Sequence, residues 1–178
     1  MLTIRPLTAA DREPVESIIT AHFADGWSYD VPTNDEREGT FVRVAERSGG
    51  PLGVMALTTY TTPAQLREAM YLVDTLDPVP DAARYGHIHA GYVAPAHTGE
   101  GIGSRLLSHL HELGERNGVD VFVVDAWFHG GGDSPARLLQ THDYEVVHAH
   151  SIAGHTDGLC PKCGQPCVCE AALAIRSP

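Results

Sequence analysis

Gly91-Tyr-Val-Ala-Pro95-Ala-His-Thr-Gly99-Glu-Gly101-Ile-Gly103-Ser-Arg-Leu-Leu-Ser-His-Leu110 decides how this 178-residue chain is read. An apolar segment runs into a proline, then into glycines at alternate positions, then into a run with Leu106, Leu107 and Leu110 at helical spacing. Strand, glycine turn and helix N-terminus in that order suit a phosphate-bearing ligand. The first-turn amides of a helix have no intrahelical acceptor, and the helix dipole favours negative charge there. Glycine admits main-chain angles closed to other residues and removes Cβ atoms that would hold a pyrophosphate away.

Two nucleotide motifs fail here on spacing. A G-x-G-x-x-G fingerprint needs a glycine where Ser104 or Leu106 stands, and a P-loop needs Gly-Lys-Ser/Thr, whereas the only lysine is Lys162. The segment instead resembles the acetyl-CoA loop of the GNAT superfamily of N-acetyltransferases, V-x-P-x-x-[R/Q]-x-x-G-x-[G/A], with Val93, Pro95, Gly101 and Gly103 in register. Thr98 departs from it, standing where the family has arginine or glutamine, which predicts weaker rather than absent affinity for coenzyme A. The resemblance implies acetyl-CoA as cosubstrate. Main-chain amides from Thr98 through Gly99, Glu100, Gly101, Ile102 and Gly103 to Ser104 would grip its diphosphate, and those of Gly91, Tyr92 and Val93 would polarise the thioester carbonyl.

The flanks fit the same family over nearly the whole chain. Leu2 to Asp11 opens with a short strand and then a helix capped near Thr8, with Asp11, Glu13 and Glu16 early in it and Pro14 tolerated in the first turn. Phe41–Glu46 and Leu52–Leu57 read as strands joined across Ser48-Gly-Gly-Pro51. Tyr85–Val93 is the next strand and Gly103–Asn117 the helix after the glycine turn, ended by Asn117-Gly118. Val119–Val124 is a near-continuous apolar run, as in a strand buried on both faces. Asp133–Gln140 begins with a cap and a proline and reads as a helix; Tyr144–Ile152 and Val168–Ile175 are the last strands. The expected fold is α/β: a GNAT-like mixed, mostly antiparallel central sheet with helices on both faces. A single domain over residues 1–178 is expected, with a cysteine-rich metal-binding hairpin inserted at about 154–169.

Composition narrows the partners. A formal charge of −11 argues against nucleic acid, since nothing could neutralise a run of phosphates. No stretch approaches the roughly 18 apolar residues of a membrane span. Without a basic region or apolar signal core at the start, a cytoplasmic location is expected. Nothing in the chain excludes a homodimer.

Direct acetyl transfer needs a deprotonated amine, a polarised carbonyl and a proton for the departing thiolate. A free amine of pKa about 10 is mostly protonated at neutral pH, so a base is useful. His87 and His89 are the candidates: they share one face of the strand entering the glycine turn, and His87 lies eleven residues before Thr98, a spacing at which several family members carry a catalytic carboxylate. Histidines on a half-buried strand also serve as hydrogen-bonded packing residues. For the acid, the resemblance implies a tyrosine late in the helix at 133–140, but Gln140 stands there, and Tyr144 matches an aromatic that packs inward. The acid is therefore unassigned. The segments Phe23–Asp30 and Asn34–Glu38 are rich in aromatics and carboxylates. Trp27 and Tyr29 are the candidate acceptor-binding residues: they would face a cationic small-molecule amine paired by Asp25, Asp30 or Glu38, against the alternative of solvated carboxylates and an anchoring tryptophan.

Cys160-Pro-Lys-Cys163-Gly-Gln-Pro-Cys167-Val-Cys169 holds all four cysteines. C-P-x-C-G resembles a zinc knuckle, and four thiolates suit a closed, structural Zn2+ site with no catalytic position. Iron on the same ligands, a redox switch, and disulfides (disfavoured in a reducing compartment) are the alternatives. His155 could replace one cysteine, whereas His148 and His150 read as strand residues. Two functions from different classes follow: an acetyl-CoA-dependent N-acetyltransferase acting on a primary amine of a small molecule, or a non-catalytic acyl-CoA-binding or zinc-dependent interaction module on the same fold. Thr98 and Gln140 favour the second; the glycine turn and His87 favour the first.

Overall fold

The computed structural model describes residues 1–70, 72–129, 135–155, 159–164 and 166–177. Along the chain lie β1 (Thr3–Pro6), α1 (Arg12–Thr20), β2 (Thr40–Arg47), β3 (Gly50–Tyr60), α2 (Pro63–Ala69), β4 (Tyr85–Val93), α3 (Ile102–Arg116), β5 (Val121–His129), α4 (Ala136–Thr141), β6 (Glu145–Ser151) and β7 (Cys169–Arg176). The strands form one seven-stranded sheet in the order β1-β2-β3-β4-β5-β7-β6. Every neighbouring pair is antiparallel except β4 and β5, which run parallel. The expected mixed, mostly antiparallel sheet is what forms.

The two-residue period of the strands sorts side chains between two faces. On β3, Met55 and Leu57 join Leu106, Leu107 and Leu110 of α3, while Val54 and Ala56 join Val15 and Ile19 of α1. On β5, Phe122 and Val124 face the α3 side, and Val121 and Val123 meet Leu66 of α2 and Met70 just past its end. Helices α3 and α4 therefore cover one face, and α1 and α2 the other. The buried stripe of α3, from Ile102 through Leu106, Leu107 and Leu110 to Gly114, keeps helical spacing throughout. At Gly114 the helix comes so close to β5 that an added Cβ would lie 2.6 Å from the Phe122 ring.

Tyr85–Val93 matches the strand read from sequence residue for residue, and α3 differs by one residue at each end. β5 runs five residues past Val124, because Asp125 and the residues beyond it stay paired with β7. Helix α2 was not anticipated. Its signal was present in Thr62-Pro63, a cap whose hydroxyl accepts from the Gln65 amide and a proline at the first helical position. Asp133, expected to cap α4, lies outside the described residues. No helix among the described residues is long and apolar enough to cross a membrane.

The chain's entry is fixed by one carboxylate. Asp11 accepts both guanidinium arms of Arg5, at 2.7 and 2.8 Å, and the Thr8 amide and hydroxyl at 2.8 and 2.7 Å. Arg5 also reaches Glu46 on β2. The Arg5 guanidinium, ahead of Thr8, holds the Asp11 carboxyl far below the usual carboxylate range. Asp11→Ala should cost about 2–3 kcal/mol, because it removes a two-bonded, charge-assisted pair from Arg5, leaving it Glu46 alone among carboxylates, and takes the acceptor from the Thr8 amide. A depressed carboxylate stabilises above its unfolded value near ~3.9 and loses that contribution as pH falls toward its folded value. Denaturant midpoints of wild type and variant should therefore differ at pH 7 and through pH 4, and the difference should shrink only as pH falls well below about 4.

Candidate active site

Strands β4 and β5 pair only at Tyr85–Val121, Gly86–Phe122 and His87–Val123. Beyond His87 each follows its other neighbour: β4 stays on β3 as far as Val93, and β5 stays on β7 as far as His129. The sheet opens between them into a cleft of about 510 Å³. His87, Asp125 and Trp127 line it from the α1–α2 face, and Leu107, Leu138 and Leu139 line it from the α3–α4 face. The opening passes through the sheet, so two ligands could enter from opposite faces and meet in the middle.

His87 and Asp125 lie where the strands part. The imidazole Nε2 and the Asp125 Oδ1 are 2.6 Å apart, and the side chains are only 6% and 8% exposed. With Asp125 ionised, Nε2–H donates to it and the lone pair falls on Nδ1. His89 stacks on His87 with centroids 5.0 Å apart and shares a hydrogen bond of 2.9 Å with the Thr58 hydroxyl. Burial, and then the neighbouring His87, push His89 down to about 3, which leaves it neutral and a poor base. The two candidates are thus brought together and separated in character: His87 is oriented by a carboxylate and His89 buttresses it.

Next comes a bulge. Val54 pairs with Tyr92 and Ala56 with His89, so Met55 faces two residues of β4, Ala90 and Gly91, which leave the ladder. Ala90 takes φ +50°, and a Cβ on Gly91 would lie 3.2 Å from the Met55 methyl. The bulge turns main chain toward the cleft, which Gly91, Tyr92 and Val93 all line. His22 Nε2 donates to the Val93 carbonyl at 2.8 Å, fixing the strand's end.

The glycine turn follows. Gly99 and Gly101 have φ of +85° and +76°, and a Cβ at either would meet nothing within 4 Å. Gly101 caps α3 without a side-chain bond. Arg105 N–H to Gly101 O, at 3.1 Å, is the first turn-closing bond, so the amides of Ile102, Gly103 and Ser104 precede it. Thr98 lines the cleft. The Glu100 carboxylate points elsewhere, to His97 at 2.8 Å and Arg47 at 3.0 Å. The Ser104 hydroxyl bonds His142 Nε2 at 2.6 Å, and Gly103 lets α3 approach Leu138 of α4.

On the α1–α2 face, Tyr29 lines the cleft and stacks on Phe23 at 5.7 Å. Trp27 does not line it and stands 46% exposed; Asp25, Asp30 and Glu38 are absent from its walls as well. The loop folds outward after Phe23, which itself packs edge-on against Trp127. In place of those carboxylates comes Lys162, whose ammonium donates to the Trp127 carbonyl at 3.2 Å and lies 5.5 Å from its ring centre.

Lys162 belongs to the cysteine hairpin. The Gly164 amide closes its turn onto the Cys160 carbonyl at 2.8 Å, with Gly164 at φ +67°. The Pro161 carbonyl accepts from the Ala24 amide at 2.9 Å, so the hairpin docks on the loop after α1. Sulfurs of Cys160, Cys167 and Cys169 lie within 4.8 Å of one another, and those of Cys160 and Cys169 are 3.5 Å apart. Cys163 packs against the same apolar cluster as these three. Burial pushes the Cys169 thiol up to about 12. The His155 side chain lies outside what is described.

No acid emerges from α4. Gln140 is exposed, and Tyr144 is buried with its hydroxyl on His111 Nε2 at 2.8 Å; burial raises it far above the usual phenol range. Sequence reasoning missed Asp125, Trp127, Lys162 and His22. Asp125 alone carried a legible signal, a single carboxylate interrupting the apolar run Val121-Phe-Val-Val-Asp-Ala-Trp127.

These features meet in known proteins. The sequence model of the Acetyltransferase (GNAT) family matches residues 6–129. A comparison with curated protein sequences finds no match. Among solved structures, ribosomal-protein-alanine N-acetyltransferase from Brucella melitensis is 18% identical with a TM-score of 0.65, each chain covered over 99%. N-acetyltransferase from Staphylococcus aureus is 14% identical with a TM-score of 0.66, over 99% of this chain and 98% of that one. The Salmonella typhimurium acetyltransferase yncA, solved with its cofactor acetyl-CoA, is 20% identical with a TM-score of 0.66, over 99% of this chain and 94% of that one. A parted sheet, a bulged strand and a glycine turn in this order, with the family match over most of the chain, make it a member of the GNAT acetyltransferase family.

Proposed function

We propose that the protein is an acetyl-CoA-dependent N-acetyltransferase that moves an acetyl group directly to a primary amine of a small molecule. The observation that carries this is the cleft through the sheet, with the glycine turn near one face and the His87–Asp125 pair at its floor. The residues fit coenzyme A: a Cβ at Gly99 or Gly101 would project into open space, and first-turn amides of α3 suit a diphosphate. Acetyl-CoA would supply an activated acyl group as a thioester. Amides of the bulged segment Gly91–Val93 polarise its carbonyl. The amine nitrogen would bond the acetyl carbon as the C–S bond breaks, with His87 Nδ1 taking the amine proton, directly or through water. Asp125 holds the ring and stabilises the imidazolium, and His89 stacks against it. Coenzyme A would leave as the thiolate and take up a proton from solvent, and neutral His87 is restored when its own proton is released.

The acceptor reading changes with the walls. Among the described residues of the cleft Asp125 is the only carboxylate, and it is occupied by His87, whereas Lys162 contributes a cation. A polyamine finds no anionic partner there, so we favour an amine that carries its own anionic group, as an amino-acid-like acceptor does. The cysteine hairpin holds that wall. Its clustered sulfurs fit structural zinc, which supplies cross-linking rather than catalysis here.

Thiol release from acetyl-CoA should be stimulated by amino-acid-like amines more than by diamines. With the best acceptor, His87→Ala should lower kcat by about 100-fold or more without changing coenzyme A affinity. Coenzyme A binding without turnover on any amine would point instead to a non-catalytic acyl-CoA-binding module.

Gly101→Val forces a β-branched residue into the left-handed region and puts a side chain into the space open beside the turn. Calorimetry should show coenzyme A affinity at least about tenfold weaker, worth roughly 1.4 kcal/mol or more. An unchanged affinity would remove the glycine turn from the binding site.

Replacing Cys160 or Cys169 by serine should release one metal ion per chain, measured by elemental analysis, and lower Tm. Full stability and activity after chelation would leave zinc without a structural role.

A further inference from the structure

β6 is an edge strand of the sheet, and its two-residue period turns His148 and His150 to one side. Their rings stack with centroids 5.1 Å apart. The segment between α2 and β4 brings Asp74 against them, held by buried Val73, whose carbonyl accepts from Arg67 at 3.3 Å. One ligand atom from each of Asp74, His148 and His150 lies within 4.8 Å of the others. Asp74 Oδ1 is 2.9 Å from His148 Nε2 and 3.9 Å from His150 Nδ1.

Short approach is not matched by hydrogen bonding. His148 Nε2 and both ring nitrogens of His150 are buried and make no hydrogen bond among the described residues. Buried imidazole nitrogens are normally partnered, and three without a bond, two of them within 4 Å of one carboxylate oxygen, call for an occupant. A proton shared along the 2.9 Å line would give His148 a directed bond to Asp74; the geometry lacks it.

We infer that Asp74, His148 and His150 form a second metal site, separate from the cysteine cluster, for a first-row divalent cation of the zinc type. Two imidazoles and one carboxylate suit such an ion and leave a position for water. The site has a mechanical consequence: it ties the α2–β4 connection to the edge strand. Two residues before Asp74, Leu72 packs against the cysteine cluster and lines the cleft. An ion on Asp74 would fix that stretch of the cleft wall.

The test uses the full chain, stripped of metal by chelation under reducing conditions and then titrated with Zn2+ and, in parallel, with Co2+. Co2+ distinguishes the sites, because thiolate ligands give an intense charge-transfer band and a two-nitrogen, one-oxygen set gives only weaker d–d absorption. We expect one ion per chain without thiolate bands, in addition to any ion held by the cysteines. His150→Gln should abolish it, and Asp74→Asn should weaken it at least tenfold, with thiolate bands unchanged in both. Asp74 is 59% exposed, so its variant keeps the test decisive if a histidine variant fails to fold. The inference is overturned if wild type takes up no ion beyond those on sulfur, or if Asp74→Asn and His150→Gln bind the extra ion as wild type does.

Discussion

The whole molecule is organised by the place where two parallel strands stop pairing. β4 and β5 share three residue pairs and then part, each kept straight by an antiparallel neighbour on its far side. A sheet seldom leaves such groups unpaired in its middle, because unpaired peptide groups are costly once buried. Here the opening is sustained from both sides, since β3 and β7 pin the separating strands along most of their length. The bulge at Ala90–Gly91 belongs to the same device, turning main chain out of the β3 ladder where it lines the cleft. His87 occupies the last paired position of β4 and Asp125 lies just past the pairing on β5, so their bond spans the start of the gap.

That geometry explains which of two similar histidines suits chemistry. Both lie on one strand face two residues apart, and sequence could not separate them. The difference is made by their neighbours: His87 looks across the gap to a carboxylate, while His89 looks back into the sheet toward Thr58. A carboxylate partner favours an imidazolium formed during proton transfer, whereas burial without one opposes it. Asp125 sits in sequence far from either histidine, and only the parallel pairing of β4 with β5 brings it close.

Local signals with a physical mechanism were the legible ones. The glycine turn, the α3 stripe, the Thr8–Asp11 start and the apolar β5 run all express backbone angles or burial within a few residues, and all form as read. Less was readable where the answer depended on distant packing. Trp27 and the carboxylates around it suggested a cation-binding wall, yet after Phe23 stacks with Tyr29 and meets Trp127 the loop turns its acids away from the cleft. Lys162 enters from more than a hundred residues later because the cysteine hairpin docks on Ala24. His148 and His150 looked like ordinary strand residues, since Asp74 comes from a connection whose path no periodicity announces.

The α1–α2 wall of the cleft therefore rests on contacts of low intrinsic stability. Among its described residues the hairpin contributes few apolar side chains, with Leu159 and Val168 left exposed; its anchors include a main-chain bond to the loop after α1, the Lys162 bond to the Trp127 carbonyl and the packing of its cysteines with Ile152 and Ala171. As free thiols the cysteines would pack only weakly; as metal ligands they would cross-link residues nine positions apart around the turn that carries Lys162. Leu72 joins this cluster from the α2–β4 connection, so the hairpin and the connection brace each other against the same end of β7. Removing order from either would move Lys162 and Leu72 while leaving the His87–Asp125 pair, set by strand register, in place. Under the proposed function, acceptor selection and proton transfer would thus depend on different parts of the fold, and the acceptor wall could change without disturbing the strand junction.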